Sequence, residues 1–407
     1  MSRRARLLSF SAVIGLLAIY VSVQIWQGRG SDSDESADSV RSGLETFLTP
    51  WYDAVGDAGD EPATVVVVGD SISEGIRLPS PMYRHRFVGF LQDGLRDAAG
   101  IDGGTGYMPA YYADRNTQDD TVRNGVDVQE QAFRDWGLGG RALLMPWGAT
   151  LTYPAQEATR VRVWYGSTGS FGGQGRVLID GVDVTDQGNL STGAQSSALI
   201  PSADFQNVSG QWWSSPQLTP GEHVVAVSSA APDTVFVHTG VEFFDGDEDS
   251  GIHVVDGSHS GATAAYFADG AAKRGHWNEV AQLDPDLIVV NLGTNAEPDY
   301  ETSLGVVVQH ALAAAPRARV LLVDGYEPGS WNTEEWAKVR DARESVAAAT
   351  PDRVAVFDMA SHWPTLAKDG STSDGLMLES DRPVHPNEAG HRRMAEIFTT
   401  LLTPPPR

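Results

Sequence analysis

Four positions in this sequence carry groups whose chemistry would fit together. Ser71 closes Gly69-Asp70-Ser71, directly after the valine run 65–68. A serine hydroxyl is a weak nucleophile until a neighbouring base takes its proton. Alone, Gly-Asp-Ser also reads as a tight strand-to-loop turn, glycine for backbone freedom and aspartate for a local hydrogen bond. His385 opens His385-Pro386-Asn387 ahead of a helical pattern. An imidazole held there suits a general base, because its ordinary pKa is near neutrality; a lone His-Pro turn is structural. Gly261, in Ser260-Gly261-Ala262, could aim its N–H at a developing oxyanion or simply ease entry into a helix. Asn295 closes Asn291-Leu292-Gly293-Thr294-Asn295 and could donate its amide to the same charge, though Asn and Gly are also turn residues.

These groups need a scaffold that gathers them. Four consecutive β-branched residues favour a strand buried on both faces, as in a parallel sheet covered by helices. Similar short apolar runs recur at 287–290, 320–323 and 354–357, alternating with helical periodicity at 86–98, 262–272, 306–314, 334–348 and 387–402. The pattern predicts an α/β fold, a doubly wound parallel sheet of about five strands. Ligand crevices in such sheets lie at the carboxyl ends of the strands, where Ser71 and Asn295 would sit. Between the first β-α unit and the rest, the texture changes to closely spaced short strands. Asp180-Gly181 there is a hairpin signal. We expect an inserted β-sandwich or jelly roll over 114–251, with the hydrolytic domain made of 61–113 and 252–403.

Taken together, Gly69-Asp70-Ser71, a glycine before a helix, Gly293-Thr294-Asn295 and a late His-Pro-Asn resemble the GDSL/SGNH hydrolase superfamily, in that family's order. The resemblance implies a three-layer, flavodoxin-like fold and a serine esterase. It makes Ser71 the nucleophile and His385 the base, with the N–H groups of Ser71 and Gly261 and the Asn295 side chain as oxyanion hole. The family's acid stands three residues before the histidine, where this chain has Arg382. Asp381, one residue earlier, takes the acid's place if the chain bulges locally. Otherwise a main-chain carbonyl orients His385 and the pair is a dyad. Asp374 is a third option.

Composition narrows the partners. The 407 residues hold 29 Lys and Arg against 54 Asp and Glu, a net charge of −25, which disfavours nucleic acid. The basic start (Arg3, Arg4, Arg6) and an apolar run to Trp26 predict a membrane anchor over 1–27 rather than a cleaved signal, then a polar linker over 28–60 with a short amphipathic piece near Leu44–Tyr52. The protein would then stand outside the cytoplasm; with no cysteine it relies on its core. No cofactor or metal is expected: the histidines are dispersed, and the acidic stretch from Asp245, with Asp256 at its twelfth position, lacks the glycine and glutamate of a calcium loop. Trp147, Trp164, Trp212 and Trp213 lie in the insertion, and one of the adjacent pair should face outward, where it could stack on a sugar. The reading that follows is an extracytoplasmic esterase deacylating a carbohydrate, with acetyl the first expectation for the group removed. Its rivals are a lipid or aryl esterase, a thioesterase, an acyltransferase to sugar, and an inactive glycan-binding protein.

Overall fold

The computed structural model describes residues 38–112, 119–127, 132–133, 136–168, 172–201, 207–269, 271–295, 297–328, 333–364, 375–378 and 384–406. The anchor expected over 1–27 lies outside them, and among the described residues no helix is long and apolar enough to cross a membrane. The chain forms two compact units, Met1–Glu45 and Thr46–Arg407, and everything that follows concerns the second.

The valine run is strand β1 (Ala63–Gly69), fully buried along its length. It lies inside a five-stranded parallel sheet with β2 (Ile252–Asp256), β3 (Leu287–Asn291), β4 (Arg319–Asp324) and β5 (Val354–Asp358), in the order β2-β1-β3-β4-β5. Four apolar runs thus became β1, β3, β4 and β5, because only a sheet covered on both faces hides runs with no polar alternation; β2, interrupted by His253, joins them at the edge. One face packs Val66, Val68, Ile288, Val290 and Leu322 against Phe267, Val280, Leu304 and Trp336. Those residues come from helices α4 (Ala264–Ala268), α5 (Ala271–Leu283), α6 (Tyr300–Ala314) and α7 (Thr333–Ala348). On the other side, α3 (Phe87–Ala99) meets α8 (Glu388–Leu402) through Phe87 and Phe398, with Phe357 of β5 against Phe398. Within the stretch expected to be linker, α1 (Glu45–Asp57) buries Leu48, Trp51, Tyr52 and Val55 at helical spacing. Trp51 and Tyr52 donate to the Leu402 and Leu401 carbonyls at the end of α8.

Among the described residues the strands of the intervening segment pair antiparallel, in a seven-stranded, a six-stranded and a two-stranded sheet. Val161, Val163, Phe236 and Phe243 of the first share one apolar cluster with Leu151, Val177, Val225 and Val227 of the second. Asp180 and Gly181 turn the expected hairpin with φ of 53° and 79°. Strand Gly106–Pro109, within the 61–113 stretch expected to be hydrolytic domain, pairs with Val235–Phe244 instead; its Gly and Pro content hid a partner far along the chain. Trp213 is buried and donates to the Thr185 carbonyl. Trp212, on the opposite side of its strand, is half-buried against the α/β core beneath Arg162, so the outward tryptophan of this pair meets protein rather than solvent.

Candidate active site

All the predicted site residues within the described segments follow the carboxyl ends of parallel strands or precede the last helix. After β1 the chain turns sharply into the one-turn helix α2 (Ser71–Glu74). Gly69 is obligatory in that turn, since a Cβ there would lie 2.3 Å from the Ser73 hydroxyl. Asp70 caps α2, its Oδ1 accepting from the Ile72 N–H at 2.9 Å. Burial pushes the Asp70 carboxyl up to about 7, against the Ile72 and Thr294 hydrogen bonds and the Arg343 charge that favour ionisation. Gly75 ends α2 in the left-handed region.

His385 reaches this point from the other end of the chain. Its Nε2 is 2.8 Å from Ser71 Oγ. The loop bearing it is tied down on several sides. The His385 carbonyl accepts from Leu378 N at 3.0 Å, and the Val384 carbonyl accepts from the Tyr326 hydroxyl at 2.7 Å. Asn387 caps α8 through Gly390 N and donates to the Gly375 carbonyl. The second histidine of the motif, His391, is buried, accepts from Phe87 N at 3.2 Å, and is pushed down to about 3 by burial and then by the nearby His385 and Arg86. It is structural.

Gly261 has φ +79°, a conformation glycine adopts without penalty, and a Cβ there would meet nothing. Its neighbours' amides are committed. Ser258 N donates to Asp256 Oδ1, His259 N to the Gly69 carbonyl, Ser260 N to Glu74 Oε2 and Ala262 N to the His259 carbonyl. Among the described residues no acceptor takes the Gly261 N–H, nor that of Ser71, the first residue of α2. Asn295 joins this loop, its Nδ2 donating to the Ala262 carbonyl at 2.7 Å. The strand-end Asn291 donates to Ser73 Oγ at 3.0 Å, linking the β3 loop to α2. Buried Arg343 fixes the same loop, donating to the Leu292 carbonyl and to Asp324. Both candidates for the acid, Asp381 and Asp374, lie outside the described residues.

Sequence reasoning missed Tyr326, Arg343, Glu74 and Arg141. A charge set among apolar neighbours, as in Gly140-Arg141-Ala142-Leu143-Leu144, is the signal that could have raised the last. Asp256, weighed as a calcium ligand, instead accepts from Arg86 and Arg141. Asp247 of the same stretch accepts from Arg96 and Gly104 N. Among the described residues no group of acids and histidines is disposed to hold a metal.

A serine hydroxyl against an imidazole, with two nearby amides lacking an acceptor among the described residues, supplies groups that acyl transfer can use. Residues 246–393 match the family model of the GDSL-like lipase/acylhydrolase family. The chain carries a GDSL-type acylhydrolase domain. That span contains Gly261, Asn295 and His385, while Ser71 lies before it, beyond the antiparallel sheets. A solved structure of a peptidoglycan O-acetylesterase is similar at 18% identity and TM-score 0.59, over 87% of this chain and 95% of that one. Coverage this wide takes in the antiparallel sheets as well as the GDSL-type domain, and it establishes likeness of fold. A family two carbohydrate esterase from Cellvibrio japonicus matches 72% of this chain and 95% of its own at 14% identity, with a TM-score of 0.29 too low to bear on the fold. Among curated proteins none matches the sequence.

Proposed function

We propose that the protein is a serine esterase that removes acyl groups, acetyl foremost, from a carbohydrate of the cell envelope. Residues 1–27 anchor it, and the catalytic unit faces away from the cytoplasm. The observation that carries the reading is the 2.8 Å contact between Ser71 Oγ and His385 Nε2 beside the unused amides. His385 Nε2 takes the Ser71 proton as Oγ bonds to the ester carbonyl carbon. The N–H groups of Ser71 and Gly261 and the Asn295 side chain hold the oxyanion. Collapse breaks the bond to the sugar oxygen, which leaves with the proton from Nε2. Water then loses a proton to His385 and attacks the acyl-serine, and the acid departs as Ser71 regains its proton. Asp381 orients the imidazole.

The carbohydrate rests on thinner support: the likeness to the peptidoglycan O-acetylesterase, and an exposed aromatic. Trp147, 63% exposed, sits on the turn between strands Ala142–Pro146 and Thr150–Thr152. We read the two antiparallel sheets as a β-sandwich inserted over 114–251, completed by the preceding strand Gly106–Pro109 and presenting that ring to a polymer. The test is turnover of p-nitrophenyl acetate, a longer-chain ester and acetylated polysaccharides by the full chain and by Ser71→Ala. Ser71-dependent release of acetate from the polysaccharide supports the reading, and no Ser71-dependent turnover of any of the three overturns it.

A further inference from the structure

Beneath the Gly261 loop lies a closed group of four charges, Arg86, Arg141, Glu74 and Asp256, all buried. Asp256 Oδ2 accepts from Nη1 of Arg141 at 2.9 Å and from Nη1 of Arg86. Arg141 also donates through Nη2 to the Asp256 carbonyl, and its Nη1 is 3.9 Å from Glu74 Oε1. The Tyr112 ring faces both guanidinium groups, at 5.4 and 5.5 Å. Two positive and two negative groups cancel, which is how buried charges are tolerated.

Three of these residues belong to the α/β layers, or to the segment leading into α3. Arg141 comes from the antiparallel region, on the turn Leu138–Gly140 and just ahead of strand Ala142–Pro146. That turn is seated against the hydrolytic loop on one side and against α5 on the other. Gly139 has φ +64°, and a Cβ on it would stand 2.2 Å from the Ser258 carbonyl oxygen, so no other residue permits the approach. The Gly139 carbonyl accepts from the Tyr266 hydroxyl at 3.1 Å and lies 2.6 Å from His259 Nδ1. Gly139 N donates to His276 Nδ1 at 3.0 Å, and Leu138 N donates to Glu279 Oε2 at 3.1 Å.

We propose that Arg141 is a positioning residue for the Gly261 N–H, acting through Asp256 and Glu74. Resting on the esterase reading above, this makes the antiparallel region part of the catalytic apparatus. The route is short. Asp256 Oδ1 holds Ser258 N and Glu74 Oε2 holds Ser260 N, so the two carboxylates that Arg141 approaches fix the amides on either side of His259. With those amides held, the next N–H in the chain, that of Gly261, is left with no acceptor among the described residues. Glu74 lies on α2, so the same pair of contacts also sets the spacing between the Ser71 and Gly261 donors.

The test compares the full chain with Arg141→Met, Arg141→Lys, Glu74→Gln and Glu74→Ala. Amide hydrogen exchange over 257–262 is read by mass spectrometry, and ester turnover and Ser71 labelling by a fluorophosphonate are measured alongside. Both Arg141 variants should exchange faster in this segment while β1 and β3 stay protected. Their kcat should fall about 10²-fold with KM unchanged, the scale of a donor displaced by about an ångström. Glu74→Gln keeps an acceptor for Ser260 N but removes one of the balancing charges, so it should fall between the parent and Glu74→Ala, which should behave like the Arg141 variants. Unchanged exchange or unchanged kcat in folded Arg141→Met overturns the inference, as does an equal effect of the two Glu74 variants, which remain informative if Arg141 variants do not fold. Absent labelling of the unsubstituted protein defeats the esterase reading instead, and the exchange comparison still decides whether Arg141 holds the loop.

Discussion

Ser71 Oγ and His385 Nε2 meet at 2.8 Å across 314 residues of sequence. Two groups that act as one unit lose their effect together, so their substitutions are not additive. Ser71→Ala and His385→Gln should each abolish detectable turnover, and the double variant should be no worse than either. Steady-state kinetics on p-nitrophenyl acetate read this, and a fully active His385→Gln would remove the histidine from the mechanism.

Asn295 and Gly261 separate side-chain from backbone donation. Asn295→Ala should lower kcat by about 10²–10³ with the fold intact. Gly261→Ala meets no neighbour, so its penalty is the left-handed backbone alone, about 1–2 kcal/mol. It should cost less in melting temperature than in kcat, and equal kcat values for Gly261→Ala and the parent would argue against this amide.

Asp381→Asn tests what orients His385. With a triad, kcat falls by orders of magnitude while the melting temperature holds. Near-normal kcat assigns the role to a main-chain carbonyl and makes the pair a dyad.

Asp70 and His391 give stability opposite dependences on pH. The Asp70 carboxyl titrates near 7 folded against 3.8 as its ordinary value, so the folded state holds the extra proton between them. Stability from this group is complete below pH 3.8 and is lost as pH rises through 7, by about 1.4 kcal/mol per unit. His391 titrates near 3 against 6.5, so its contribution is complete above pH 6.5 and is lost as pH falls towards 3. Asp70→Asn should gain on the parent as pH rises from 4 to 8, and His391→Asn should gain as pH falls from 7 to 4. Thermal melts across that range decide, and parallel curves would contradict both.

Trp147→Ala should leave turnover of p-nitrophenyl acetate unchanged and raise KM for an acetylated polysaccharide. Equal loss on both substrates would mean the ring supports the fold rather than a sugar.

The parallel sheet was legible because β1, β3, β4 and β5 each hold an unbroken apolar run, and burial on both faces leaves no other place for such runs; β2, with His253 inside it, was not. Ser71, Asn295 and His385 were legible for a related reason: each sits at a junction of strand, loop and helix, where local sequence announces the break. Arg141 was not. Its partner Asp256 is 115 residues away, and no local periodicity encodes a pair so distant. The same blindness hid the arginine partners of Asp256 and left open which of Trp212 and Trp213 faces outward, since a side chain's partner decides its meaning and lay elsewhere in the sequence.

The valine strand carries a consequence for synthesis. β1 emerges early, yet both its neighbours, β2 and β3, lie beyond the antiparallel region, and Thr64 N waits for Asp286, 222 residues later. Until then a nascent chain displays Val65-Val66-Val67-Val68 with both edges open, the composition that favours intermolecular strand pairing. The antiparallel sheets can form first, because all their strands lie between Gly106 and Phe244 and have emerged before β2 and β3. The polypeptide thus completes its middle before its beginning, and production of this protein should be most vulnerable to aggregation while translation crosses that middle.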